Sequence, residues 1–131
     1  MTRTLYPKIS VNQSFQLPVG DGHELYVECS GNDKGIPVVY LHGGPGSGAS
    51  EHVRRYFDPE KYHIILFDQR GCGRSTPSPS IENNTLNHLI ADIEKIQQKS
   101  DIPVDLHIIT NKAERFYPAL ESFQIEYVTF Q

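Results

Sequence analysis

Cysteine is scarce in this sequence. Cys29 and Cys72 stand far apart and in no C-x-x-C pattern, so neither a disulfide framework nor a zinc site follows from them. Long apolar runs are missing too. The opening MTRTLYPKISVNQ holds no apolar stretch that could serve as a signal peptide, and no segment approaches the roughly 20 apolar residues needed to cross a bilayer. A cytoplasmic protein with no membrane partner is the expectation. Blocks of like charge are also absent. The net charge of -4 is spread over interspersed acidic and basic residues, so the basic stripe of a nucleic-acid binder is lacking. The histidines (His23, His42, His52, His63, His88, His107) show no H-E-x-x-H or comparable ligand spacing, so no metal is assigned, and no other cofactor either.

What is present is an ordinary globular composition, 37% hydrophobic and 21% charged, in 131 residues, which suffices for one domain with a core. Residues 13 to 29 read as an antiparallel hairpin turning at Gly20-Asp21-Gly22, its second arm, His23 to Cys29, alternating apolar and polar. After the turn residues Gly31 to Gly35, Pro37 can open a strand but not sit inside one, so the next strand is expected over Val38 to Leu41. A short helix fits residues 51 to 57. The run His63-Ile64-Ile65-Leu66-Phe67-Asp68 has the continuous apolarity of a parallel strand buried on both faces. From Thr85 the period changes: Leu86, Leu89, Ile90, Ile93 and Ile96 mark one face of a helix ending near Lys99, with Asn84 or Thr85 as its N-cap. The tail reads as a strand over Val104 to Thr110, a helix over Lys112 to Phe123 interrupted by Pro118, and a strand over Ile125 to Phe130. Strands joined by crossover helices predict an α/β sheet with ligands at the carboxyl ends of its strands.

Two glycine-rich turns leave strands at that edge. The first is His42-Gly43-Gly44-Pro45-Gly46-Ser47-Gly48 and the second is Gln69-Arg70-Gly71-Cys72-Gly73-Arg74-Ser75. Glycine-rich loops also cradle phosphates, but no Lys-Ser or Lys-Thr follows the first turn, the G-x-G-x-x-G spacing is absent, and Pro45 removes an N–H that a phosphate would use. In the second, Asp68 at the strand end lies close enough in sequence to Arg70 and Arg74 for a loop-shaping ion pair. Cys72, between Gly71 and Gly73, has no histidine fixed beside it that would make it a nucleophile.

The stretches H-G-G-P-G (42 to 46) and F-D-Q-R-G-C-G-R-S (67 to 75), with Asp21 to Leu25, Phe57 to Tyr62 and Glu82 to Thr85 around them, resemble the proline iminopeptidases. These are α/β-hydrolase serine peptidases that release N-terminal proline from peptides. The resemblance runs from about Leu5 to about Gln97. It implies an N-terminal portion of an α/β-hydrolase domain over 1 to 99: an antiparallel hairpin, then parallel strands with crossover helices forming part of the sheet. Residues 100 to 131 are an unmatched strand-helix-strand tail of the same domain. It also implies that the backbone amide of Gly44, or of Gly43, supplies one oxyanion-hole donor. His42, Pro45 and Gly46 would brace that loop, and Asp68, Arg70, Gly71, Gly73 and Arg74 would shape the other.

Such enzymes carry their serine on a G-x-S-x-G elbow. The 131 residues contain no such pentapeptide; Gly73-Arg74-Ser75-Thr76-Pro77 lacks the second glycine, and Ser47 and Ser50 fail the pattern. In family order the elbow should follow the strand ending near Ile109, where the chain reads Thr110-Asn111-Lys112-Ala113-Glu114. The catalytic nucleophile, acid and base are therefore expected to be missing, and the chain to be inactive alone. Two alternatives are carried: a non-catalytic module that pairs with itself or with another chain through an exposed sheet edge, and a small hydrolase using Cys72 or an unrecognised serine.

Overall fold

The computed structural model describes residues 5–41, 51–78, 86–99, 107–110 and 124–127. Its elements are strands β1 (Val11–Gly20), β2 (His23–Gly31), β3 (Ile36–Leu41), β4 (Tyr62–Phe67), β5 (His107–Thr110) and β6 (Gln124–Tyr127), a 3-10 helix over Glu51–Tyr56 and helix α1 (Leu86–Lys99). The strands form one sheet in the order β1-β2-β4-β3-β5-β6. β1 pairs antiparallel with β2 and β2 antiparallel with β4, whereas β4, β3, β5 and β6 run parallel to one another.

The hairpin forms where its turn chemistry allows. Asp21 and Gly22 connect the arms with φ of 58° and 78°, the paired left-handed conformation that suits Asp-Gly and matches strand twist. Pro18 lies within β1, which is the sheet's edge, so its missing N–H removes nothing from an interior ladder. The position of Pro37 corrects the sequence expectation, because β3 opens two residues before Val38, at Ile36, and so contains Pro37. The Ile36 N–H donates to Lys61 O on the β4 side, so the Pro37 nitrogen faces the other side. Pairing with β5 begins there only at Val38, and no ladder hydrogen bond is lost.

Alternation along β3 and β4 splits the core into two layers. Val39, Leu41, Ile65 and Phe67 join Leu25, Val27 and Cys29 of β2 on the face covered by Leu89, Ile93 and Ile96 of α1. Val38, Tyr40, Ile64 and Leu66 point to the opposite face, where Val53 and Phe57 from the 3-10 region cover them. Helix α1 thus starts and ends where the apolar period put it. β4 ends at Phe67, one residue short of expectation, although the Asp68 N–H still donates to Tyr26 O. Two tail strands form within or beside the expected spans, His107–Thr110 and Gln124–Tyr127; residues 104 to 106 and 128 to 130, the expected helix over 112 to 123 and the N-cap at Asn84 or Thr85 lie outside the described residues.

Candidate functional site

The carboxyl ends of β3, β4 and β5 lie side by side, with Leu41 in register with Thr110 and Tyr40 with Leu66. In an open parallel sheet this is the edge at which ligands gather. His42, Gly43, Gly44, Pro45 and Gly46 follow directly on Leu41 and lie outside the described residues, as do Ser47 and Ser50. The second glycine-rich turn is described in full.

That turn is organised around buried charge. Asp68, 1% exposed, accepts hydrogen bonds at Oδ2 from the Arg74 backbone N–H at 2.8 Å and from Arg74 Nε at 2.9 Å. The Arg74 guanidinium carbon stands over the Tyr26 ring, 3.8 Å from its centroid. Burial works against the charge on Arg74, yet the Asp68 hydrogen bond and charge hold its pKa above the ordinary arginine value. Asp68 is fully engaged in shaping the loop, which is poor placement for a triad acid.

Arg70 points to the other side. Its guanidinium, 3% exposed, binds Asp92 of α1 through Nε–Oδ2 at 2.8 Å and Nη2–Oδ1 at 2.9 Å. It also reaches Asp21 of the hairpin turn at 3.1 Å and Val19 O at 3.2 Å. Burial opposes this charge too, but the hydrogen bonds to Asp92 and Asp21 keep the Arg70 pKa above its usual value. Lys95 donates to the same Val19 carbonyl at 2.5 Å, and His88 Nε2 stands 3.7 Å from Asp21. One arginine thereby ties the hairpin turn, the loop after β4 and the helix together. Gly71 and Gly73, with φ of 73° and 49°, let the loop reverse between its two arginines.

Ser75 and Cys72 are placed as structural groups. Ser75, 1% exposed, accepts the Tyr26 N–H at 2.9 Å and donates to Asp68 O, so its hydroxyl is used in both directions. The Cys72 thiol is buried and donates to Arg70 O at 3.6 Å. Burial, followed by the charge of Glu28, raises the Cys29 thiol to about 11. Neither cysteine forms a disulfide.

Sequence reading missed Glu28, Arg54 and Asp92. Glu28, with its side chain 1% exposed, accepts from Arg54 Nη2 at 2.7 Å and faces Arg74 Nη2 at 3.8 Å. Asp92 carried a readable signal: it lies three residues after Leu89 and four before Ile96, on the apolar side of α1, where a charge needs a buried partner. Glu28 carried none, because the alternation of β2 puts it on the same side as the exposed Glu24 and its burial shows only in the structure.

A mixed sheet that turns parallel after an N-terminal hairpin, with a glycine-rich loop at the carboxyl end of a central strand, defines the α/β-hydrolase class. The chain belongs to that family: its profile, described as alpha/beta hydrolase fold, matches residues 36–103. Within it, the chain is 56% identical over 95 residues to a proline iminopeptidase of Xylella fastidiosa, covering 72% of this chain and 30% of that protein. It is 54% identical over 101 residues to the proline iminopeptidase of Arabidopsis thaliana, covering 77% and 27% respectively. The chain thus spans about 30% of the length of the first of these curated relatives. Among solved structures it is similar to a proline iminopeptidase-related protein of Thermus thermophilus, with a TM-score of 0.65, 27% identity, and 85% of this chain and 42% of that one covered. An epoxide hydrolase from hot-environment metagenomes, at 22% identity and a TM-score of 0.66, shares the fold, covering 87% of this chain and 40% of its own.

Proposed function

We propose that this chain supplies the front of a proline iminopeptidase-type serine hydrolase, whose reaction is release of N-terminal proline from peptides. The observation that carries the reading is the identity of 56% over 95 residues with a proline iminopeptidase, a span that includes both glycine-rich motifs. In this reading the Gly44 amide, or that of Gly43, donates to the carbonyl oxygen as it becomes an oxyanion, while His42, Pro45 and Gly46 shape the loop. Asp68, Arg70, Gly71, Gly73 and Arg74 shape the neighbouring turn. Residues 1 to 99 form the N-terminal portion of the hydrolase domain, and residues 100 to 131 belong to the same domain. A cytoplasmic setting goes with two buried thiols that form no disulfide.

The 131 residues hold no G-x-S-x-G, so the serine, acid and histidine must come from elsewhere. Hydrolysis of a proline arylamide tests this. The chain alone, and its Gly44→Pro variant, are expected to show none. Mixing the chain with the remaining C-terminal part of a proline iminopeptidase is expected to restore turnover, and Gly44→Pro to abolish it. Turnover by the chain alone, blocked by a serine-acylating reagent, would reject the inactive reading. Failure of the mixture, with both parts folded and associated, would reject the lineage reading.

A second reading has one observation in its favour. β6 closes the sheet order with β5 as its one neighbour among the described residues, and an unpaired edge invites another strand. A non-catalytic module that pairs through this edge predicts a dimer or a complex with another chain. A monomer at every concentration in sedimentation counts against it.

A further inference from the structure

We infer that Glu28 is a positioning residue: its buried carboxylate, shared between Arg54 and Arg74, fixes the chain just downstream of the first glycine-rich motif against the second. The inference rests on the reading of residues 42 to 46 as an oxyanion loop.

Four charges form a continuous line. Arg54 lies in the 3-10 helix Glu51–Tyr56, where the described chain resumes after residue 50. Its Nη2 meets Glu28 Oε2 at 2.7 Å; Glu28 Oε1 is 3.8 Å from Arg74 Nη2; Arg74 Nε meets Asp68 Oδ2 at 2.9 Å. Positive and negative alternate along this line, and each carboxylate is almost wholly removed from solvent. Upstream, the same glycine-rich stretch leaves β3 at Leu41, which is fully buried and paired with β5. Leu41 before that stretch is thus held by a sheet ladder, and Arg54 after it by an ion pair.

Stability alone does not account for Glu28. A buried ion pair adds little net stability compared with apolar residues of similar volume, and its best-attested use is to fix one arrangement among several. The apolar contacts of Val53 and Phe57 hold the 3-10 helix on the sheet, but hydrophobic attraction has no direction. The hydrogen bond from Arg55 Nε to Tyr6 O constrains the helix against the N-terminal segment, not against the second glycine-rich turn. Glu28, which meets Arg54 and faces Arg74, does constrain it against that turn. Its Oε1 has no hydrogen bond, so the carboxylate is biased toward Arg54 while remaining within electrostatic reach of Arg74.

Hydrogen exchange on the 131-residue chain tests this without turnover, so its outcome is separate from that of the hydrolysis assay. Glu28→Gln is expected to speed exchange of the amides at 51–57 about tenfold while those of β4 and α1 keep their rates. Arg54→Gln should do the same, and Arg54→Lys, which keeps the charge, should restore most of the protection. Arg74→Gln should also speed exchange at 51–57, but not when Glu28 is already Gln. Unchanged exchange at 51–57 in Glu28→Gln, or a rise shared equally by α1, overturns the inference. Should Glu28→Gln fail to fold, Arg54→Gln and the double variant Glu28→Gln/Arg54→Gln decide it by the same criterion.

Discussion

Burial pushes the Cys29 thiol from 9.0 up to about 11, and this has a consequence for stability at alkaline pH. Below pH 9 both folded and unfolded chains keep the proton. Between 9 and 11 only the unfolded chain releases it, so stability falls as pH rises, by about 2 to 3 kcal/mol in all from this group. Urea unfolding at pH 8 and at pH 10.5 should show the loss, and Cys29→Ala should remove that share of it. Ser75 offers a second check at the same scale. Ser75→Ala leaves the Tyr26 N–H without its acceptor inside the protein and should cost about 1 to 3 kcal/mol. A fluorophosphonate should leave Ser75 unlabelled in the folded chain. The sequence marked Asp68, Arg70 and Arg74 because they crowd into one motif. It did not mark their partners, since Arg70 meets Asp92 across 22 positions and Asp21 across 49, and Arg54 meets Glu28 across 26. Spacing shows local chemistry; contacts across the sheet become visible only when strand order is known.

Helix α1 was legible because its apolar residues recur at three and four, and the hairpin because Asp-Gly fits one turn type. Pro37 misled for a physical reason: a proline is tolerated in a strand wherever the side its nitrogen faces has no neighbour yet, and sequence does not show which side that is. Between elements, the buried pair of Arg70 with Asp92 clamps α1 to the loop after β4. Asp92→Asn leaves the buried guanidinium with the half-exposed Asp21 as its remaining charge partner and is expected to lower unfolding free energy by up to about 3 kcal/mol, read from the urea midpoint. Arg70→Met combined with Asp92→Leu should recover much of that loss, because no buried charge then remains. Gly31 joins β2 to the following turn with φ of 79°, and a Cβ there would sit 2.5 Å from Tyr62 O. Gly31→Ala should therefore cost about 2 kcal/mol or more, from left-handed strain plus displacement of backbone.

For the molecule as a whole, the parallel half of the sheet and its carboxyl edge were readable from short apolar strands alternating with a periodic helix. The order of the strands was not, because pairing partners depend on which crossover passes over which face. That order, β1-β2-β4-β3-β5-β6, bears on how the chain is made. The hairpin can close as soon as residue 31 has emerged from the ribosome, since its register joins near neighbours. β3 is different: although made third, it lies between β4 and β5, and neither of its edges has a partner until residues 62 to 67 and then 107 to 110 have been synthesised. For most of translation a strand of Val38, Val39, Tyr40 and Leu41 thus waits with one or both edges open. Nascent chains stalled before residue 107 should be cut by protease beside β3, whereas chains stalled well beyond residue 110 should resist there. Equal cleavage in the two would mean that β3 is sheltered before its second neighbour exists.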